Sequence, residues 1–252
     1  MIQQKDNQIL YKYYPPKKYA LKALSEGTIC FTDLYSQNDP FEAMGFYRKT
    51  SDYESDKLFD SQLQELVDQH ITEDDRAFLR NQCRIFCATT QCDRPLMWAH
   101  YADYHRGICL EFDFPDSFCS KVTWSDAVIF SHKNFGLFCH CGDVNYEAQR
   151  KAIIFSDGIA ENDYPVYDAL LSKPDCWKYE QEYRVLLCYP IDSECKFAAG
   201  ANTREYYFTY PKEWLTSITF GMRLSEAPRE SIIQCIGEAK YPDVTFKQEI
   251  LV

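Results

Sequence analysis

Glycine is scarce in this 252-residue chain, with 9 in all. That leaves little material for glycine-rich loops whose backbone amides close around a phosphate. Long apolar runs are lacking too. No stretch approaches the ~20 consecutive apolar residues of a membrane-crossing helix, so no membrane association is expected. The first residues, Met1-Ile2-Gln3-Gln4-Lys5-Asp6, do not pair a basic segment with an apolar one. No secretory leader is read there, and the chain is expected to be cytoplasmic. Positive charge is the third shortage. The chain has 27 Lys and Arg against 38 Asp and Glu, a net charge of −11. Basic runs stop at pairs such as Lys17-Lys18. Such a chain repels a nucleic-acid backbone, which argues against non-specific nucleic-acid binding. A small ligand held by a few cations is compatible with it.

Aromatic residues are abundant at 16%, with 19 Tyr and 17 Phe, and hydrophobic residues make up 46%. These suit strands and a mixed core. The 12 cysteines have no secretory context, so they are read as reduced thiols. Cys30, Cys109 and Cys188 sit in apolar runs, where a thiol acts as a small hydrophobe. The cluster His132…Cys139-His140-Cys141 has no paired C-x-x-C and is read as a loop, with no metal expected.

The spacing predicts a strand at Ile9–Tyr14, a helix over Lys18–Glu26 stopped by Gly27, and a strand at Thr28–Thr32. Asn38-Asp39-Pro40-Phe41-Glu42 is a turn. Helices are predicted over Asp56–His70, Glu73–Gln82, Pro95–Ala102, Ala148–Leu171 (broken near Pro165) and Glu226–Tyr241. Further strands are predicted at Cys83–Thr90, Gly107–Phe114, Asp143–Tyr146, Glu182–Tyr189, Glu205–Phe208, Leu215–Gly221 and Val244–Leu251. Lys121–Gly142 carries no clear pattern. Without strict βαβ alternation, the chain reads as a single α+β domain over residues 1–252. Its core is a mixed, mostly antiparallel sheet with peripheral helices.

Two segments carry candidate chemistry. In Trp177-Lys178-Tyr179-Glu180-Gln181-Glu182-Tyr183-Arg184, Glu180 and Glu182 stand two apart at the mouth of an apolar run. In an extended strand they project on one face. Like charges so close shift a pKa or require a cation. The structural reading pairs them with Arg184. The functional reading makes them an acid–base pair. In Met97-Trp98-Ala99-His100-Tyr101-Ala102-Asp103-Tyr104-His105-Arg106-Gly107, titratable and aromatic groups crowd a helix-to-strand junction. They suit either stacking on a ligand ring or bridging between the two elements.

Leu10-Tyr11-Lys12-Tyr13, Phe31-Thr32, Asn38-Asp39-Pro40-Phe41-Glu42, Met97 to Asp103 with His105 and Gly107, Lys173…Trp177-x-Tyr179-Glu180-x-Glu182-Tyr183-Arg184 and Ile218-Thr219-Phe220-Gly221 occur in that order. The set resembles a widespread bacterial family, domain-of-unknown-function family 2971. More distantly, the order of elements and Glu180-x-Glu182 are similar to ADP-ribosyltransferases. That likeness implies split sheets around NAD as co-substrate. Glu182 would bind the ribose and Glu180 would act on the acceptor. Lys12 or Tyr13 falls where that family carries Arg or His, and Thr32 where it carries a hydroxyl set. Asn38, Asp39, His100, Tyr101, Asp103, His105, Trp177 and Arg184 would line the cleft. Such proteins often act as toxins or phage-defence effectors on an acceptor macromolecule, here unidentified. Two alternatives stay open. One is a nucleotide- or anion-recognition module without turnover. The other is a metal-dependent hydrolase built on His100, Asp103 and His105.

Overall fold

The structure, a computed structural model, describes residues 7–39, 46–49, 83–115, 138–148, 153–156, 170–188 and 205–250. The predicted helices over 56–70 and 73–82, His132 and the later part of the 38–42 turn lie outside them; residues 139–141 of the cluster read as a loop form a strand instead, paired with residues 185–187.

Aromatic and β-branched runs become strands, as their packing preference dictates. The strands are β1 (Gln8–Tyr14), β2 (Thr28–Thr32), β3 (Phe46–Lys49), β4 (Cys83–Thr89), β5 (Ile108–Phe114), β6 (Phe138–Asp143), β7 (Asn145–Glu147), β8 (Ile153–Ser156), β9 (Ser172–Pro174), β10 (Glu182–Cys188), β11 (Glu205–Thr209), β12 (Leu215–Phe220) and β13 (Thr245–Gln248). The helices are α1 (Lys18–Glu26), α2 (Pro95–Tyr101) and α3 (Glu226–Glu238). α1 stops where Gly27 takes a φ of 64° and its N–H donates to Ala23 O, a left-handed cap that glycine adopts without strain. Within the helix predicted over 148–171, residues 153–156 instead form β8, parallel to β3. Ile153-Ile154-Phe155 is too short a run for its periodicity to separate helix from strand, and pairing with a distant segment decides it.

Nine strands form one curled α+β sheet, ordered β11-β2-β4-β1-β5-β12-β13, with β10 on the other edge of β4 and β6 beyond it. Its pairings are antiparallel except β12 with β13. Alternation gives the sheet two unlike faces. Leu10, Phe86, Leu110, Phe112, Val185 and Leu187 point to the main core, with Leu24 of α1 and Ile232 and Ile236 of α3 in the same cluster. On the other face α2 lays Met97 and Trp98 over Tyr13 and Cys109. Trp98 meets the Tyr13 ring edge-on at 5.0 Å.

One irregularity matters for function. β10 pairs with β4 along its whole length. On the opposite edge of β4, β1 pairs only at Tyr11–Thr89 and β2 only at Thr32–Ile85. Both strands run antiparallel to β4, so the middle of that edge, around Cys87, lies between two strands that diverge from it. The sheet forks there. The expected split sheets are therefore a fork within one sheet, with two further two-stranded pairs, β3-β8 and β7-β9, apart from it.

Candidate functional site: a polar cleft in the sheet fork

A cleft of about 250 Å³ occupies the fork. Tyr11, Lys12, Tyr13, Thr32, Gln37, Asn38, Cys87, Thr89, Met97, Tyr101, Lys173, Glu180 and Glu182 are among its lining residues. The register explains the convergence. Glu182 faces Thr89, and Thr89 faces Tyr11, so the three share one row on one face of the sheet. Arg184 follows in the Cys87 row.

Glu180 and Glu182 do not lie on one strand. Glu180 ends a 3-10 turn over Asp175–Glu180, and Gln181 takes a left-handed φ of 42° before β10 begins. That reversal breaks the i, i+2 geometry. The two carboxylates meet instead at a third residue. Lys173 on β9 places its ammonium 2.6 Å from Glu180 Oε2 and 3.1 Å from Glu182 Oε2. Arg184 grips Glu182 by a fork, Nε to Oε1 at 2.9 Å and Nη2 to Oε2 at 3.1 Å. Its Nη1 donates to Leu170 O at 2.5 Å. All four charged side chains are buried. The Lys173 ammonium also lies 4.9 Å from the Trp177 ring centre.

The two carboxyls therefore differ electrostatically. Burial raises the Glu180 pKa, Lys173 pulls it back down, and the neighbouring Glu182 charge adds to the rise, for a net upward shift. Burial also opposes ionisation of Glu182, but Arg184 and Lys173 outweigh it and hold that carboxyl well below the usual range. On the cleft side, Glu180 Oε1 accepts bonds from the Tyr101 hydroxyl and from Asn38 Nδ2, the latter at 3.2 Å. Asn38 Nδ2 also donates to the Tyr101 oxygen. Burial, then the Glu180 charge, pushes the Tyr101 hydroxyl well above its ordinary value, so it stays a donor. Across the cleft Gln37 Nε2 donates to Thr32 Oγ1 at 2.8 Å.

Of the residues singled out in the sequence, Lys12, Tyr13, Thr32, Asn38, Tyr101, Glu180 and Glu182 line the cleft. Arg184 and Trp177 stand behind it, one on Glu182 and one on Lys173. Asp39 is buried outside the lining. His100 is exposed, its ring 5.8 Å from that of Tyr179. Asp103 faces Arg106 at 3.9 Å, and His105 Nδ1 lies 2.6 Å from Glu249 Oε1. Asp103, Tyr104 and His105 have φ values of 47°, 55° and 68°. This left-handed turn carries the chain out of α2, and His100, Asp103 and His105 end on three different partners. No group of three His, Cys, Asp or Glu able to hold a metal occurs among the described residues. Sequence reasoning missed Lys173, Gln37 and Cys87 as site residues. Lys173 stood in the ordered motif set, but nothing in its spacing marked it as the shared partner of both glutamates.

Residues 97–185 match the model of a family described as protein of unknown function (DUF2971). That segment begins inside α2 at Met97, contains Lys173, Glu180 and Glu182, and ends one residue after Arg184. No curated protein and no solved structure matches the chain, so the likeness to ADP-ribosyltransferases gains no support there. Among the described residues no helix is long and apolar enough to cross a membrane.

Proposed function

We propose that the fork cleft binds a small nucleotide-like ligand through its hydroxyl groups, and that Glu180 exchanges a proton with it. The observation that carries this reading is the contrast between the two carboxyls. Glu180 lines the cleft beside Tyr101 and Asn38, with its pKa raised. A carboxyl shifted toward neutral pH works as both acid and base. Glu182 has both oxygens engaged by Arg184 and Lys173. It is better suited to holding those cations in place than to reacting, so the ribose contact expected of Glu182 passes to Glu180, which keeps its acid–base role.

NAD is the first ligand to test, as co-substrate of a cytoplasmic transferase acting on an unidentified acceptor macromolecule. A toxin or phage-defence effector would belong to that class. The cleft, at about 250 Å³, falls below the roughly 300 Å³ at the lower end of ligand pockets. It suits the sugar or one ring of such a molecule, with the remainder outside. The test is calorimetry with NAD, together with nicotinamide release in cell lysate, on wild type, Glu180→Gln and Glu182→Gln. The expected result is that Glu180→Gln binds without release. Release that survives in Glu180→Gln would remove the proton-transfer role.

A second reading, recognition without turnover, is favoured by one observation: the Glu180 oxygens are also already bonded, to Tyr101, Asn38 and Lys173. Tight binding with no release by wild type would select it. No binding of NAD at millimolar concentration would reject NAD as the ligand.

A further inference from the structure

Lys12 stands apart from the Lys173 network. By strand alternation it belongs to the core-facing side of β1, beside Leu10 and opposite Leu110. Its ammonium nevertheless lies in the fork. It donates to Cys87 O at 2.5 Å and sits 5.3 Å from the centre of the Phe86 ring. A carbonyl and an aromatic face are both electron-rich, but neither carries a counter-charge. No carboxylate among the described residues pairs with Lys12. An ammonium has three donors, and among the described residues only the bond to Cys87 O takes one of them up.

The charge around the cleft is lopsided. The lining holds Lys12, Lys173, Glu180 and Glu182, and Arg184 is bonded to Glu182 from behind. Among these residues three cations face two carboxylates, in a chain whose net charge is −11. A half-buried cation without a counter-ion is costly. An incoming oxyanion would relieve that cost and gain a charge-assisted bond.

We propose that Lys12 is the anion anchor of the cleft, and that the natural ligand carries an oxyanion, a phosphate or a carboxylate, seated in the fork between β1 and β2. The inference rests on the reading of this cleft as a ligand site. It adds the class of ligand and the residue that selects it. The hydroxyl-reading wall of Glu180, Tyr101 and Asn38 and the anion-reading Lys12 would then engage separate parts of one molecule.

The experiment titrates inorganic phosphate, acetate, ribose and ribose 5-phosphate into wild type, Lys12→Gln, Lys12→Arg and Glu180→Gln, read by calorimetry and by phosphorus NMR line width. Lys12→Gln removes the charge yet keeps a donor for Cys87 O, and unchanged thermal unfolding would show that the fold survives. The expected result is that wild type prefers ribose 5-phosphate to ribose by about tenfold or more. Lys12→Gln should erase that preference, Lys12→Arg should restore most of it, and Glu180→Gln should leave phosphate binding intact. Phosphate binding stronger than acetate binding would identify the anion as phosphate, and the reverse order as carboxylate. Absence of both from wild type, or a preference unchanged in Lys12→Gln, would overturn the inference. Anion binding with a ribose contribution that is the same in Glu180→Gln as in wild type would instead overturn Glu180 as a reader of the ligand hydroxyls and leave Lys12 as the anchor.

Discussion

Lys173 and Glu180 are joined by a contact of 2.6 Å, although one lies on β9 and the other at the end of a 3-10 turn. The same ammonium reaches Glu182 at 3.1 Å. Two buried carboxylates are thus tolerated side by side because one lysine lies between them. Removing that cation leaves their repulsion uncompensated.

Lys173→Met is therefore expected to destabilise the protein by about 3–5 kcal/mol, the usual effect of breaking a buried ion pair by removing one partner. Urea unfolding would measure it. The double variant Lys173→Met/Glu180→Gln should recover part of the loss, because one of the two charges is gone. A double variant no more stable than the single one would mean that the carboxylates do not interact.

The pH dependence of the two glutamates should run in opposite directions. Glu182 has a folded pKa below its unfolded value of about 4.3. Its contribution to stability is present above that unfolded value and is lost as pH falls toward the folded one. The stability gap between wild type and Glu182→Gln should be wide at neutral pH and narrow in acid. Glu180 is shifted upward. The unfolded chain releases that proton first, so ionisation of Glu180 lowers stability as pH rises past about 4.3. Wild type should therefore lose ground against Glu180→Gln over that rise. Thermal unfolding of the three proteins across the range tests both slopes, and slopes of the same sign would refute the assignment.

Tyr101→Phe removes one donor to Glu180 Oε1 and leaves Asn38 in place. The expected loss of stability is about 1.5–3 kcal/mol, in the range of one hydrogen bond to a charged group. Ligand binding should weaken as well, because the hydroxyl lies on the cleft wall. A variant with full stability but impaired binding would separate the two roles.

Gly107 tests the junction that carries α2 into β5. A Cβ there would sit 2.1 Å from Tyr14 O and 2.9 Å from Ala102 Cα, both backbone atoms with no easy retreat. Gly107→Ala should cost about 1–3 kcal/mol or more through overpacking, read as a drop in Tm. An unchanged Tm would mean that β1 and the turn after α2 are less closely packed than the structure has them.

Much of this architecture could be read from residue patterns. The alternation in Ile9–Tyr14, Gly107–Phe114 and Leu215–Gly221, the Gly27 stop and the proline at the head of α2 act through local sterics, so neighbouring residues suffice to reveal them. The proximity of Glu180 and Glu182 was visible for the same reason. The route by which they meet was not. It depends on the left-handed Gln181, on the 3-10 turn and on a lysine in a separate parallel pair, β7 with β9. The involvement of Asn38 and Tyr101 was legible as candidacy alone, since 63 residues separate the bonded pair.

By itself, the sequence determined the α+β class, most of the strands, and the net negative charge, because propensity, alternation and net charge are properties of short segments or of simple sums. Tertiary structure alone decided that β1 and β2 share one edge of β4 and part there, that Lys12 enters the gap, and that Lys173 serves two glutamates at once. These depend on which distant strands pair and in what register, and long-range pairing leaves no periodic trace in the chain.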